Sequence, residues 1–196
     1  GACVPAGSAR APLDGHDGID NAAGRDILTL AATYDPTFES SARAEQMMGR
    51  GTMLVHVRGW NGTGDDPRVD AYLAQSTRMT DAAGTDGPVW DGGDVFYAAT
   101  SDFAGGNPAM PLIRDDVAYV SGRTLFMRIP EGRSVVFPWS GNTARLALTG
   151  GSLTGRISTD GTRLEDVRIT GRWALVDIAE VLTAVGLCPG SVERGF

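Results

Sequence analysis

Residues 52–73, TMLVHVRGWNGTGDDPRVDAYL, decide the predicted fold of this chain. Side chains point alternately to the two faces of a strand, so a strand with one buried face has an apolar residue at every second position. Both ends of the stretch show this spacing, at Met53, Val55, Val57, Val69, Ala71 and Leu73. Residues 61–67 between them are rich in Gly, Asn, Asp and Pro, which favour turns. The stretch therefore predicts an antiparallel hairpin with one buried and one solvated face.

The rest of the chain extends this β pattern. Its 196 residues include 27 Gly and 10 Pro, and frequent turn formers favour many short strands. In particular, residues 144–148 and 153–157 are predicted to be two strands joined by a turn at Gly150 and Gly151. We predict a mainly β fold (α+β by content) with an antiparallel β-sandwich or jelly-roll-like core, two N-terminal helices near 22–34 and 39–48, and one C-terminal helix. The whole chain is expected to form a single domain. In that domain 1–50 form an acidic loop and a helical lead-in, 51–173 the β-sandwich, and 174–188 the closing helix.

The charge of the chain excludes one class of partner. Its formal net charge is −7 and its pI is near 4.7, whereas a nucleic-acid-binding protein needs a basic surface. Binding to anionic membranes through charge alone is excluded for the same reason. No apolar run reaches the roughly 20 residues of a transmembrane helix. The 17 residues counted as Lys or Arg are all Arg, which is typical of a GC-rich bacterial genome.

The two cysteines, Cys3 and Cys188, lie near opposite ends of the chain. A disulfide between them would restrict the unfolded chain and stabilise the fold by about 2–5 kcal/mol. Such a bond favours an oxidising, extracellular compartment. The alternatives are that Cys3, preceded by two small residues, carries the lipid anchor of a bacterial lipoprotein, or that both thiols are free. Because the sequence begins at Gly1 without a Met, we expect a processed or trimmed product. The disulfide and lipid-anchor interpretations of the cysteines favour a chain that is secreted or lies at the cell surface.

An acidic loop near the N-terminus is the first candidate metal site. Residues 12–26, PLDGHDGIDNAAGRD, contain oxygen ligands of the kind that Ca²⁺ prefers, at Asp14, Asp17, Asp20 and Asn21. The loop resembles the calcium loops of dockerin and thrombospondin type 3 repeats, although its acids recur at every third position and no Glu closes it. The resemblance implies a bound Ca²⁺. The alternative is an Asx-turn in which Asp20 or Asn21 caps the next helix.

Turns of the predicted sheet provide the second set of candidate metal ligands: Asp65, Asp66, Asp91 and Asp94. Loops at one end of a β-sandwich can bind Ca²⁺ jointly, and a solvated turn is the alternative for each pair. Trp60 and Trp90 each lie beside one of these turns, where an exposed ring can stack on a sugar. We therefore predict both tryptophans as ligand-binding residues. The alternative is that they cover the end of the core.

The sequence contains no recognisable catalytic motif. His16 and His56 are its two histidines, and no G-x-S-x-G, H-E-x-x-H or Cys–His arrangement accompanies them. We assign no catalytic residue, and an enzyme is not the preferred interpretation.

Together these patterns favour a secreted or cell-surface β-sandwich module that is stabilised by Ca²⁺ and binds a glycan or a surface polymer. The strand pattern resembles that of concanavalin-like and jelly-roll lectin modules, from which no residue is carried over because a fold does not determine a function. One alternative is a structural or assembly subunit of an extracellular layer or filament, which would bind copies of itself. The other is a secreted hydrolase.

Overall fold

The computed structural model describes residue 33, residues 36–139 and residues 142–184. Its helices are α1 (Phe38–Met47) and α2 (Leu175–Ala184), and two 3₁₀ turns, η1 (Thr100–Asp102) and η2 (Ala104–Gly106), precede the fourth strand. The described strands are β1 (Met53–Arg58), β2 (Asp66–Thr80), β3 (Val95–Ala98), β4 (Ile113–Ser121), β5 (Thr124–Arg128), β6 (Ser134–Trp139), β7 (Asn142–Ile157) and β8 (Leu164–Trp173). Over these residues, no helix combines the length and the apolar character needed to span a membrane.

The eight described strands form one sheet in which every ladder is antiparallel. Neighbouring strands follow the order β1-β2-β4-β5-β7, and β8 also pairs with β7. β3 pairs with β2, and β6 pairs with β7. β2 and β7 have 15 and 16 residues, so each is long enough to hold three partners.

The sheet curls around one main core. The buried side chains of its middle strands form that core: Val69, Ala71, Leu73, Ala118, Val120, Leu125, Met127, Leu153 and Ile157. Val55 and Val57 of β1 pack against this cluster, and so do Leu164 and Ile169 of β8. The sheet must bend around this core, because the ring of Trp60, just after β1, lies against Gly161 in the turn between β7 and β8. Each large apolar side chain buried there contributes about 1.5–3 kcal/mol.

A second cluster lies beside the first and holds the β6–β7 hairpin in place. Ile129, Val135 and Leu148 are buried in it, and Met53 of β1 packs against them. α1 also lies next to β6, the first strand of this hairpin. The backbone at Gly49, just after α1, lies so close to Met79 of β2 that no side chain would fit there.

The hairpin predicted from residues 52–73 is confirmed. Val55 lies opposite Leu73 and Val57 lies opposite Ala71 in the β1–β2 ladder. The mainly antiparallel β content is confirmed as well. The sandwich or jelly-roll arrangement is not confirmed, because ladders connect all the described strands in one sheet.

The predicted helices are only partly within the described residues. α1 begins and ends one residue before the predicted range of 39–48, and α2 lies within the predicted closing helix. The helix predicted at 22–34 falls outside the described residues apart from Thr33, which is helical. Cys3, Cys188 and the acidic loop at 12–26 also fall outside them. The single-domain organisation stays a prediction.

β7 differs from the expected pair of strands joined by a turn at Gly150 and Gly151. The strand continues through both glycines, and its register against β8 shifts between Thr149 and Ser152. Gly150 has φ of 61°, which a glycine adopts at low cost. A β-bulge absorbs the extra residue and bends the strand without ending it. The Gly-Gly pair therefore marks a bend of the sheet.

Close packing between β7 and β8 can be tested at Gly155. A methyl group there would lie 2.7 Å from Cγ and 2.8 Å from Cδ2 of Leu164, so that Leu164 would have to move. We expect Gly155→Ala to lower the free energy of unfolding by about 1–3 kcal/mol, as overpacking of a core does. Urea unfolding followed by circular dichroism measures this difference.

Gly64→Ala is the matched control for this variant. Its methyl group would lie 3.5 Å from Cγ of Arg123, which is an ordinary contact. Both substitutions reduce the entropy of the unfolded chain in the same way, so the difference between them reports the native packing. Equal free energies of unfolding for the two variants would contradict the close contact with Leu164.

Candidate functional site

Trp90 projects from the loop between β2 and β3. Its side chain is 48% exposed, and its backbone φ of 58° lies in the left-handed region that residues other than glycine rarely adopt. Asp94 holds this conformation: Oδ1 accepts the N–H of Val89 at 3.0 Å, and Oδ2 accepts the N–H of Trp90 at 2.7 Å. A backbone of this kind stores about 1–3 kcal/mol of strain and persists where its surroundings enforce it. The loop therefore fixes an exposed indole at one position.

The indole of Trp90 forms one wall of a groove against α1. The groove has a volume of 400 Å³, and its other lining residues are Arg43, Gln46, Met47, Thr52 and Met53. Phe96 of β3 is 37% exposed and meets Trp90 edge to face, with ring centroids 6.4 Å apart. In the part of the chain that the structure describes, Arg43 has no ion pair and the Gln46 side chain has no hydrogen bond. The groove thus combines an aromatic wall with two polar groups that can bind a ligand.

Trp60 has a different environment. Its Nε1–H donates to the carbonyl oxygen of Thr63 at 3.0 Å, and its ring packs against the main core. A methyl group at Gly161 would lie 3.1 Å from Cζ3 of Trp60, so the ring lies against the turn between β7 and β8. In that turn, hydrogen bonds from the Ser158 hydroxyl and the Thr162 amide lower the pKa of Asp160 to about 2. Trp60 therefore connects the end of β1 to a turn held by an ionised carboxylate.

The two predicted ligand-binding tryptophans lie at opposite ends of β1. Trp60 follows the end of the strand at Arg58, whereas Met53, at its start, lines the groove with Trp90. At a rise of about 3.4 Å per residue, the two ends of β1 are roughly 17 Å apart. The structure therefore does not bring Trp60 and Trp90 into one site.

The four described candidate metal ligands organise their own turns. All accept backbone N–H groups at N···O distances of 2.7–3.1 Å: Asp65 from Gly122, Asp66 from Asn61 and Arg68, Asp91 from Gly93, and Asp94 from Val89 and Trp90. Within 36–139 and 142–184, no three His, Cys, Asp or Glu side chains come together in a group that could hold a metal ion. Asp14, Asp17, Asp20 and Asn21 lie outside the described residues. The calcium prediction stays a prediction for both sets of residues.

His56 is packed on a neighbouring ring on the β1–β2 ladder. It stacks on Tyr72 with ring centroids 4.7 Å apart, and Arg58 Nε donates to its Nε2 at 3.3 Å. Burial, followed by the positive charge of Arg58, lowers the pKa of His56, while Asp70 opposes this shift. The histidine is thus kept neutral in a stack of side chains.

Comparison of the chain with protein-family models, with curated proteins and with solved structures finds no match. The function must therefore be argued from the site. Arg43 and Gln46 are the groove residues that the sequence did not predict. They lie on α1, and only the packing of that helix beside the loop of Trp90 makes them part of a site.

Proposed function

We propose that this chain is a secreted or cell-surface binding module that holds a glycan or a surface polymer against Trp90. The observation that supports this function is the exposed indole, fixed in a strained backbone by both oxygens of Asp94. Residues held in such conformations are concentrated at functional sites. In this proposal the curled sheet, closing towards a sandwich-like shape, is the scaffold.

Sugars match the chemistry of the groove. A tryptophan ring offers a flat apolar surface to the C–H face of a sugar, and polar side chains beside it bind the hydroxyl groups. Arg43, Gln46 and Thr52 supply such groups on the wall opposite Trp90. The groove is open along the surface, which favours a segment of a longer polymer. The extracellular location belongs to the proposal and is supported by the composition and by the two cysteines.

The proposal predicts that Trp90→Ala weakens binding to the recognised polymer by about tenfold or more, as removal of a central aromatic anchor does. A glycan array identifies the ligand, and isothermal titration calorimetry then compares the variants. The backbone at this position is already strained with Trp, so we expect only a small change in thermal stability.

Tyr119→Ala is the matched control, because Tyr119 is a similarly exposed aromatic residue, at 44%, stacked on Phe126 away from the groove. It should retain wild-type binding. Equal affinities for the Trp90 and Tyr119 variants would contradict the proposed site. Large ordered assemblies in light scattering, together with an empty glycan array, would favour the assembly alternative.

Calcium is the second part of the proposal and is supported by the sequence of the N-terminal loop. A ligand present at about 100 times its Kd stabilises the folded state by about 2.7 kcal/mol, which corresponds to roughly 5–10 °C for a chain of this size. We expect the thermal midpoint to fall by that amount when a chelator replaces calcium. Replacing Asp17 and Asp20 with Asn should abolish the shift.

Asp86→Asn is the control for the calcium experiment. Asp86 is an exposed loop carboxylate that pairs with Arg78 at 2.5 Å, so its loss should leave the calcium-dependent shift in place. An identical midpoint of the wild-type chain in calcium and in chelator would refute the proposed cofactor.

A further inference from the structure

A cavity lies between the β1–β2–β4 side of the sheet and the β6–β7 hairpin. Its volume of 390 Å³ falls in the range of about 300–1,000 Å³ that is typical of small-molecule sites. Its apolar lining residues include Met53, Leu73 and Ile113 of the sheet and Val135 and Val136 of β6. Met53 also lines the groove beside Trp90, so the two sites adjoin but have different walls.

Two of the residues that line the cavity are buried apolar residues of the core clusters. Leu73 and Val135 are each 3% exposed and belong to the two core clusters, which hold them in place. Met53, Ile113 and Val136 are partly buried beside them. An apolar ligand group gains free energy where it covers the apolar side chains of this lining.

Two arginines of the β6–β7 hairpin line the cavity. Arg145 lies opposite Val136 in the ladder, and Arg133 immediately precedes β6 in a turn where its N–H donates to Pro130 at 3.2 Å. Both side chains are exposed. Neither guanidinium forms an ion pair or a hydrogen bond with any of the residues described by the structure.

The lack of a partner distinguishes these two arginines from many others on the surface. Seven described arginines pair with carboxylates: Arg50, Arg68, Arg78, Arg114, Arg128, Arg156 and Arg163. Asp102 is the one acid among the described residues that line the cavity, and its Oδ2 accepts the N–H of Gln75 at 2.5 Å. The lining thus carries two arginines and one carboxylate, a net charge of +1, in a chain whose net charge is −7.

We propose that this cavity binds a small amphipathic carboxylate. The apolar body of the ligand lies against Met53, Ile113 and Val136, which are partly buried apolar side chains of the lining. Its carboxylate binds Arg133 and Arg145. Guanidinium groups hold a carboxylate by charge-assisted hydrogen bonds, which are stronger than neutral ones. The volume admits one short alkyl or aromatic body and no polymer, so this ligand differs from the one proposed for Trp90.

Isothermal titration calorimetry of the full chain with octanoate tests this site. Octanamide, which has the same alkyl chain without the charge, is the matched neutral ligand. We expect octanoate to bind at least about tenfold more tightly than octanamide, because only the carboxylate gains the charge-assisted hydrogen bonds. Replacing both cavity arginines, Arg133→Gln with Arg145→Gln, should weaken octanoate binding by about tenfold and leave octanamide unchanged.

Arg168→Gln with Arg172→Gln is the control pair, since these exposed arginines of β8 have no ion pair within the described residues and do not line the cavity. It removes the same charge and should retain the wild-type affinity for octanoate. Ser134→Phe, which fills the cavity from β6, should abolish binding of both ligands without unfolding the chain, as checked by circular dichroism. Trp90→Ala should retain octanoate binding, so a failure of the glycan proposal is separable from a failure of this one.

The proposal is overturned if octanoate and octanamide bind equally, or if the two arginine pairs reduce octanoate affinity to the same extent. It is also overturned if octanoate gives no heat up to its solubility limit, or if folded Ser134→Phe binds as the wild type does.

Discussion

The bend of the β-sheet is the constraint on which the rest of the structure depends. β1 is far from β7 and β8 in the order of the ladders, yet Trp60, just after β1, lies against Gly161 in the turn between β7 and β8. That geometry requires strands that can bend and approach closely. The bulge in β7 near Gly150 supplies the bend, and the missing side chain at Gly155 lets Leu164 lie over the backbone. A flat sheet of the same strands would leave one face of the core in water.

In the bent sheet, the two ends of β1 have different surroundings. At one end, Trp60 rests against Gly161, and Asp65 and Asp66 satisfy backbone amides, so this end is closed by packing and turn hydrogen bonds. At the other end, Met53 lies between the groove of Trp90 and the cavity with its two arginines. Both binding proposals therefore concern one end of the sheet. Arg43, Arg133 and Arg145 at this end form no ion pair with any described residue.

Local patterns in the sequence predicted the local structure well. The alternation of Val55 and Val57 with polar residues was sufficient to predict a strand of the hairpin, because the period of two in a strand can be read from neighbouring residues. The Gly-Gly pair in β7 was misread as a turn, because a bulge and a turn use the same residue. Trp60 and Trp90 look alike in sequence, each beside an Asp- and Gly-rich turn. Their environments differ because Trp60 packs on Gly161 and Trp90 lies beside α1, and both of these partners are distant along the chain. For the same reason, no local pattern indicated that Arg133 and Arg145 would line one cavity.

The contact between Trp60 and Gly161 tests the bend most directly, because it joins the end of β1 to the turn between β7 and β8. Nuclear Overhauser effects between the indole protons of Trp60 and the α protons of Gly161 report this distance in the labelled full chain. We predict strong cross-peaks, with the Gly161 α protons shifted by the ring current of the indole. Well-resolved Trp60 signals that show no cross-peak to Gly161, with its α protons at random-coil positions, would contradict a sheet that brings its two ends onto one core.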